Sequence, residues 1–295
     1  MLVNVVAGIY APLIHGFSNT ILKNIKAGIL PPNIIAPPRD AIPLTNSIKT
    51  LSEIHNIKVD VCELPVNRNI AGITNNQKQV QINKSPYLDL LFDQAVNNLS
   101  NLTALTEVET GIYGTTSLIM ANSFKSRGVE KYYPIKFYGL GPNLSFIHAV
   151  LSNGQEWIAE NAEDSGLVSR AQIENLMVLL DTMEELGMEK MYQSVEKLIK
   201  DNNGVVKPVL VPVSDQEFEV AQMTNQIIVD TAELYSRTSI FDVQNIIEKV
   251  PNLIYHSKNG FPFTLSDAIP SMNSKEQHYN SIRTSKLFDY PSLKL

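Results

Sequence analysis

The first half of the chain alternates between two patterns of apolar residues. Short apolar runs predict strands at 33–36, 58–64, 101–109 and 133–138. Between them, apolar residues three or four positions apart predict helices at 13–26, 44–55, 86–99 and 117–127. Strands separated by helices in this order favour parallel pairing through crossover connections. The pattern therefore predicts an α/β fold, with a mainly parallel sheet flanked by helices.

The pattern changes after about residue 150, where helical spacing dominates. It predicts helices at 169–186, 189–200, 214–237 and 274–288. Ser214 and Glu217 have the spacing of a capping box at the start of the third. One strand is predicted at 207–213, and its prolines favour an edge position. We therefore expect an α/β domain at 1–150 and a mostly helical extension at 151–295.

Charge and composition narrow the range of partners. The chain has 24 basic and 30 acidic residues, so it lacks the broad basic field that attracts nucleic acid. Its apolar start, 1–7, is interpreted as a core strand or a buried lead-in segment, and no window reaches the length of a membrane span. The single cysteine, Cys62, is compatible with a reducing compartment. The expectation is a cytoplasmic protein with neither a membrane nor a nucleic acid as its partner.

The segment 107–116 carries the strongest candidate site. Glu107 and Glu109 lie two apart at the end of a predicted strand, so their side chains point to the same side. There they can accept hydrogen bonds from sugar hydroxyls or hold a divalent cation. Glycines, hydroxyls and a helix N-terminus that suit an anion follow, supplied by Thr110, Gly111, Gly114, Thr115 and Thr116. Gly and Thr also occur at strand-to-helix turns for conformational reasons alone.

These residues also resemble a known family. The run Thr106-Glu107-Val108-Glu109-Thr110-Gly111, followed by Thr115-Thr116, is similar to the ribose-phosphate loop of type I phosphoribosyltransferases. In that loop a hydrophobic strand leads into two acids, two further residues, Thr-Gly and another Thr. The segment Ala36-Pro37-Pro38-Arg39-Asp40-Ala41 resembles the earlier loop of the family that receives pyrophosphate. The order of elements, with a polar hairpin at 65–85, agrees over residues 33–140.

The resemblance implies a ligand and a reaction. The ligand would be a ribose phosphate or nucleotide, a small phosphorylated metabolite, and the reaction would be transfer of phosphoribose with Mg²⁺. Glu107 and Glu109 would be the catalytic acids and the metal ligands, and the loop 110–116 would hold the 5-phosphate. Arg39 and Asp40 would receive pyrophosphate, with Arg68 or Lys78 as a further cation.

Two departures from the family pattern keep an alternative open. Thr106 stands at the position of the first acid, and Ile112-Tyr113 lengthen the loop by two residues. The alternative is a non-catalytic protein that binds a nucleotide or phosphate in a regulatory or assembly role. The helices beyond residue 165 are compatible with a homo-oligomer surface, a substrate lid or a partner site.

Other candidates have simpler explanations beside the functional ones. Gly139 to Asn143 follow a predicted strand and are expected to precede a helix, where Asn143 can contact a base or sugar, but an ordinary turn explains the same residues. Tyr113 can stack on a ligand ring or simply pack. The five histidines show no close metal-ligand spacing, and neither a Gly-x-Ser-x-Gly motif nor a Walker lysine is present.

Overall fold

The computed structural model describes residues 5–37, 41–67, 69–72, 85–99, 103–109, 115–136, 145–148, 158–161, 194–236 and 243–258, with 175, 178, 179, 181–183, 185 and 186 between them. The helices are α1 (Ala11–Lys26), α2 (Ile42–Ile54), α3 (Leu88–Asn98), α4 (Thr115–Lys125), α5 (Asp215–Tyr235) and α6 (Val243–Lys258). The strands are β1 (Asn33–Ala36), β2 (Asp60–Glu63), β3 (Ala104–Glu109), β4 (Lys131–Lys136), β5 (Ser145–His148), β6 (Ile158–Asn161), β7 (Val195–Lys200) and β8 (Val206–Leu210). Within these residues, no helix is long and apolar enough to cross a membrane.

Four strands form one parallel sheet in the order β2-β1-β3-β4. One row across it joins Val61, Ile34, Thr106 and Tyr133, and the next joins Cys62, Ile35, Glu107 and Pro134. Pro134 lies in an edge strand, where a missing N–H is tolerated. The predicted α/β arrangement, a mainly parallel sheet flanked by helices, is confirmed.

Helices α1, α2, α5 and α6 cover one face of the sheet. From the strands, Ile34, Val108 and Ile135 contribute to this core. A π-helical turn, Val6–Tyr10, leads into α1 and is buried throughout. Of the segment predicted at 1–7, the described residues 5–7 belong to this buried lead-in to α1 and form no strand, in agreement with one of the two interpretations.

Helices α3 and α4 cover the opposite face, together with the hairpin formed by β7 and β8. Ile35, Leu105 and Tyr132 contribute to this second core from the sheet. The hairpin is tied to the rest by polar contacts as well. The Asn67 amide donates to the Val195 carbonyl at 2.7 Å, and the Gln94 amide bonds to the backbone of Gly204 and Val206 at 3.2 Å each.

Local sequence signals account for several helix ends. Gly28 and Gly128 follow α1 and α4 with φ of 74° and 89°, a conformation that favours glycine. At α5 the predicted capping box is confirmed: the Ser214 hydroxyl accepts from the Glu217 N–H, and the Glu217 carboxylate accepts from the Ser214 N–H. The glycine ends and the capping box both provide hydrogen-bond partners for backbone groups that would otherwise be unpaired at a helix end.

The prediction of a helix at 189–200 is wrong over the second half of that range. Residues 195–200 form β7, which pairs antiparallel with β8. The register shifts between Val195 and Lys197, so Val195 and Leu198 are both buried although they are three positions apart. Such an irregularity gives a strand the spacing of a helix. The neighbouring strand, predicted at 207–213, is found at Val206–Leu210, and it is an edge strand as expected.

A second correction concerns the chain after β4. A helix was expected after Gly139 to Asn143, but residues 145–148 form β5, paired antiparallel with β6. The aromatic and β-branched pair Phe146-Ile147 suits a strand once a partner strand is available. Of the helix predicted at 169–186, the described residues from 175 to 185 are helical. The predicted helix at 274–288 lies outside the described residues.

Residues from both halves of the chain share these cores. Val220, Ile227 and Ile228 of α5 belong to the same cluster as residues of α1 and α2. Val195, Leu198 and Val206 of the hairpin belong to the other cluster. The domain boundary expected near residue 150 stays a prediction.

A buried histidine makes the stability of this fold depend on pH. His15 lies in α1, with its ring centroid 5.7 Å from that of Tyr235 in α5. Burial, with smaller contributions from His55 and Lys23, lowers the pKa of His15 from 6.5 to about 3. The unfolded chain takes up this proton near pH 6.5 and the folded chain only near pH 3. Acidification through this window therefore favours unfolding.

We expect His15 to lower the free energy of unfolding by about 2 kcal/mol between pH 7 and pH 5. Urea unfolding of the wild type and His15→Phe at both pH values measures this contribution as the difference between their pH dependences. His55→Gln, at an exposed position, should keep most of the effect because burial is its main cause. A His15→Phe protein with the wild-type pH dependence would contradict this prediction.

Candidate functional site

The order in which successive strands are added to the sheet reverses between β1 and β3. These strands are neighbours at the centre of the sheet, and the chain continues from β1 outward to β2 and from β3 outward to β4. In open α/β sheets, a crevice forms outside the carboxyl ends of two such strands, and ligands bind there. The two segments that suggested chemistry, 36–41 and 109–116, follow β1 and β3 directly.

Several predicted site residues lie outside the described residues. They are Arg39, Asp40, Arg68, Lys78, Thr110, Gly111, Tyr113, Gly114 and Asn143. Of the others, Thr115 and Thr116 begin α4, and Thr116 is half-buried. The N-terminus of this 11-residue helix therefore lies directly after the loop, where its backbone N–H groups can favour an anion.

The two acids of β3 lie on one face of the sheet, as their spacing predicts. Residues of β3 alternate between the two cores, with Leu105 in the cluster beneath α3 and α4 and Val108 in the opposite one. Glu107 and Glu109 share the side of Leu105. Glu107 has an exposed fraction of 0% and Glu109, at the carboxyl end of the strand, one of 8%. Two carboxylates are thus held inside the protein beside the candidate site.

A tyrosine of the neighbouring strand binds the deeper acid. The Tyr132 hydroxyl donates a hydrogen bond of 2.8 Å to Glu107 Oε2, and both side chains are fully buried. Burial raises the pKa of Tyr132 well above its usual value, and the charge and hydrogen bond of Glu107 and the charge of Glu109 raise it further. The phenol therefore keeps its proton at neutral pH and remains a donor.

Sequence reasoning did not find Tyr132. In the register of the sheet it lies opposite Leu105, and only the diagonal reach of its side chain brings it to Glu107. The available signal was a tyrosine in a buried strand, which needs a partner for its hydroxyl.

Thr106 has a structural partner on the other side of the sheet. Its hydroxyl donates to the Pro31 carbonyl at 2.9 Å, and the residue is fully buried. The position that holds the first acid in the phosphoribosyltransferase pattern therefore ties β3 to the segment that precedes β1.

Magnesium remains a prediction. Among residues 5–258, wherever the structure describes them, no three His, Cys, Asp or Glu side chains form a metal-binding group. Mg²⁺ often binds proteins through one or two carboxylates, with waters and substrate phosphates completing its shell. Glu109 is the better placed of the two acids for this role because Glu107 is fully buried and bonded to Tyr132.

Comparison with known proteins assigns the chain to no family. No protein-family model matches the chain, and a search of curated proteins finds no match. The class that the structure itself defines is an α/β protein with a parallel sheet and two buried acids on a central strand.

The contact of Thr106 predicts that an acid is not tolerated there. Thr106→Asp would bring a carboxylate against the Pro31 carbonyl in a fully buried position. We expect it to lower the free energy of unfolding by at least about 3 kcal/mol at pH 7, measured by urea unfolding. Thr106→Ser keeps the hydroxyl and should lose far less. Equal stability of the two variants would show that the position accepts an acid.

Proposed function

We propose that this chain is a phosphoribosyltransferase-like protein that binds a phosphorylated ribose or a nucleotide at the carboxyl ends of β1 and β3. The observation that carries the proposal is the placement of Glu107 and Glu109. They lie on a central strand, at the point where the order of strands in the sheet reverses. A loop rich in Gly and Thr follows them directly in the sequence. This combination offers acceptors for sugar hydroxyls beside donors for a phosphate.

The proposal gives each group a task. The loop 110–116 and the N-terminus of α4 hold the 5-phosphate, and Arg39 and Asp40 receive pyrophosphate. Arg68, Tyr113 and Asn143 are further ligand contacts. Of the two acids on β3, Glu109 accepts hydrogen bonds from the ribose hydroxyls and contributes to a magnesium site, and Glu107 lies behind it.

In the transfer reaction, a nucleophile forms a bond to C1 of phosphoribosyl pyrophosphate. The bond from C1 to the pyrophosphate oxygen breaks, and pyrophosphate leaves with the electron pair. Magnesium, when bound, neutralises charge on the departing pyrophosphate. The chain's own residues orient the ribose, hold both phosphate groups and exclude water around an oxocarbenium-like transition state.

A second candidate function is binding without transfer, in a regulatory or assembly role. The contact of Thr106 favours it, because the position of the first acid in the family pattern is committed to the Pro31 carbonyl. A protein can lose this acid and still bind the ligand through the remaining carboxylates and the phosphate loop. Binding and transfer therefore need separate measurements.

Titration calorimetry with phosphoribosyl pyrophosphate and Mg²⁺ tests binding. We expect Glu109→Gln to weaken the affinity at least about tenfold, since an acceptor for the ligand loses its charge. Glu63→Gln is the matched control, because Glu63 ends β2 at the same edge of the sheet but pairs with Lys49 at 2.7 Å. It should bind like the wild type.

The same titration can reject the proposal. A wild-type protein that gives no heat with this ligand does not have the proposed site. Where binding is seen, release of pyrophosphate with a panel of nucleobases indicates a transferase. Binding without release indicates the second function.

A further inference from the structure

The two acids of β3 differ in their surroundings, and this difference assigns them separate roles. We propose that Tyr132 is a positioning residue that holds Glu107 inside the protein, and that Glu109 is the carboxylate that contacts the ligand through a hydroxyl group or a cation. The part that concerns Glu109 rests on the proposed function. The part that concerns Tyr132 and Glu107 stands on its own geometry.

The two carboxylates lie at different depths in the protein. Glu107 lies in the interior of β3, beside Ile35 of β1, and none of its surface is exposed. Glu109 is the last residue of β3 and keeps 8% of its surface. A ligand at the carboxyl end of the sheet therefore reaches Glu109 before it reaches Glu107.

The Tyr132 phenol, which donates to Glu107, is held rigidly by aromatic packing. The Tyr132 ring is stacked on Phe124 of α4 with centroids 6.3 Å apart, and Phe92 of α3 meets Phe124 edge-on at 5.1 Å. Arg127 joins the same two helices: its Nε donates to Asp93 at 2.7 Å, and its guanidinium lies 5.4 Å from the Phe92 ring centroid. A phenol packed in this way has little rotamer freedom, so it fixes the carboxylate that it binds.

The charge of the two acids limits which ligand group can lie beside them. Both carboxylates act on the Tyr132 phenol, so they lie in one electrostatic neighbourhood. A hydrogen bond donated to a buried carboxylate stabilises it, whereas a second negative charge nearby does the opposite. A ligand group at Glu109 must therefore be a donor or a cation, such as a sugar hydroxyl or a bound metal ion. Phosphate oxygens belong at the N-terminus of α4 instead.

The chain offers a matched pair of variants for the test. Tyr132→Phe removes the hydroxyl that binds Glu107, and Tyr133→Phe removes the hydroxyl of the next residue, which packs against the opposite core. Carbon-13 NMR of the glutamate carboxyl groups, with the Glu107 signal assigned through Glu107→Gln, needs no ligand. We expect Tyr132→Phe to shift the Glu107 signal and Tyr133→Phe to leave it in place.

Calorimetry with phosphoribosyl pyrophosphate and Mg²⁺ tests the division of roles. We expect Glu109→Gln to lose at least about tenfold in affinity, and Tyr132→Phe and Glu107→Gln to lose about fivefold each. The double variant of Tyr132 and Glu107 should lose no more than either single variant, because both substitutions weaken the same charge-assisted hydrogen bond. Tyr133→Phe should bind normally. Circular dichroism confirms that each variant is folded.

The outcomes separate the two parts of the proposal. An unchanged Glu107 signal in Tyr132→Phe overturns the positioning role, whatever the ligand does. A loss in Glu107→Gln as large as in Glu109→Gln overturns the assignment of the ligand contact to Glu109. If the wild type does not bind this ligand, the assignment of Glu109 fails together with the proposed function, and the NMR signal still decides the role of Tyr132.

Discussion

The pairing of β1 with β3 is the constraint on which the rest of the structure depends. Ile34 lies beside Thr106 and Ile35 beside Glu107, and this register places alternate residues of both strands in opposite cores. A shift by one residue would turn Glu107 toward the face that α1 and α2 cover and Val108 toward the other. The same pairing creates the reversal of strand order, and in open α/β sheets a ligand crevice forms at such a point. Packing and the candidate site thus share one origin.

Burial of two acidic side chains on a central strand makes this arrangement less stable. A buried charge destabilises a protein unless it is paired or hydrogen-bonded. Tyr132 offsets part of this penalty at Glu107, and aromatic contacts with α4 hold the phenol in place. A core that needed only stability would be satisfied by apolar residues here. The presence of two acids in this core is the strongest physical reason to look for a ligand beside them.

Much of the first half could be predicted because its signals are local. The apolar runs and the helical spacing before residue 137 predicted β1 to β4 and α1 to α4. The prediction failed at β7 because one irregularity in register gave Val195 and Leu198 the spacing of a helix face. It also failed at β5, where pairing with β6, the next strand along the chain, decided the structure.

The candidate site could be predicted only in part, for a similar reason. The common side of Glu107 and Glu109 follows from the two-residue period of a strand, which is a local property. The bond from Tyr132 depends on the register between β3 and β4, and the role of Thr106 depends on the chain before β1. Neither contact can be recognised from the sequence near the acids.

Elements from the C-terminal half of the chain pack on both sides of the sheet that carries the site. Helix α5 packs against α1 and α2 on one side of the sheet, while the hairpin of β7 and β8 packs against α3 on the other. On the second side, Gln94 of α3 binds the hairpin, and Phe92 two residues earlier packs on Phe124, which stacks on Tyr132. The hairpin thus belongs to the same core as the aromatic residues that pack around Tyr132. Val195, Leu198 and Val206, remote in sequence from the acids, therefore pack in the core on the side of the sheet where Glu107 lies.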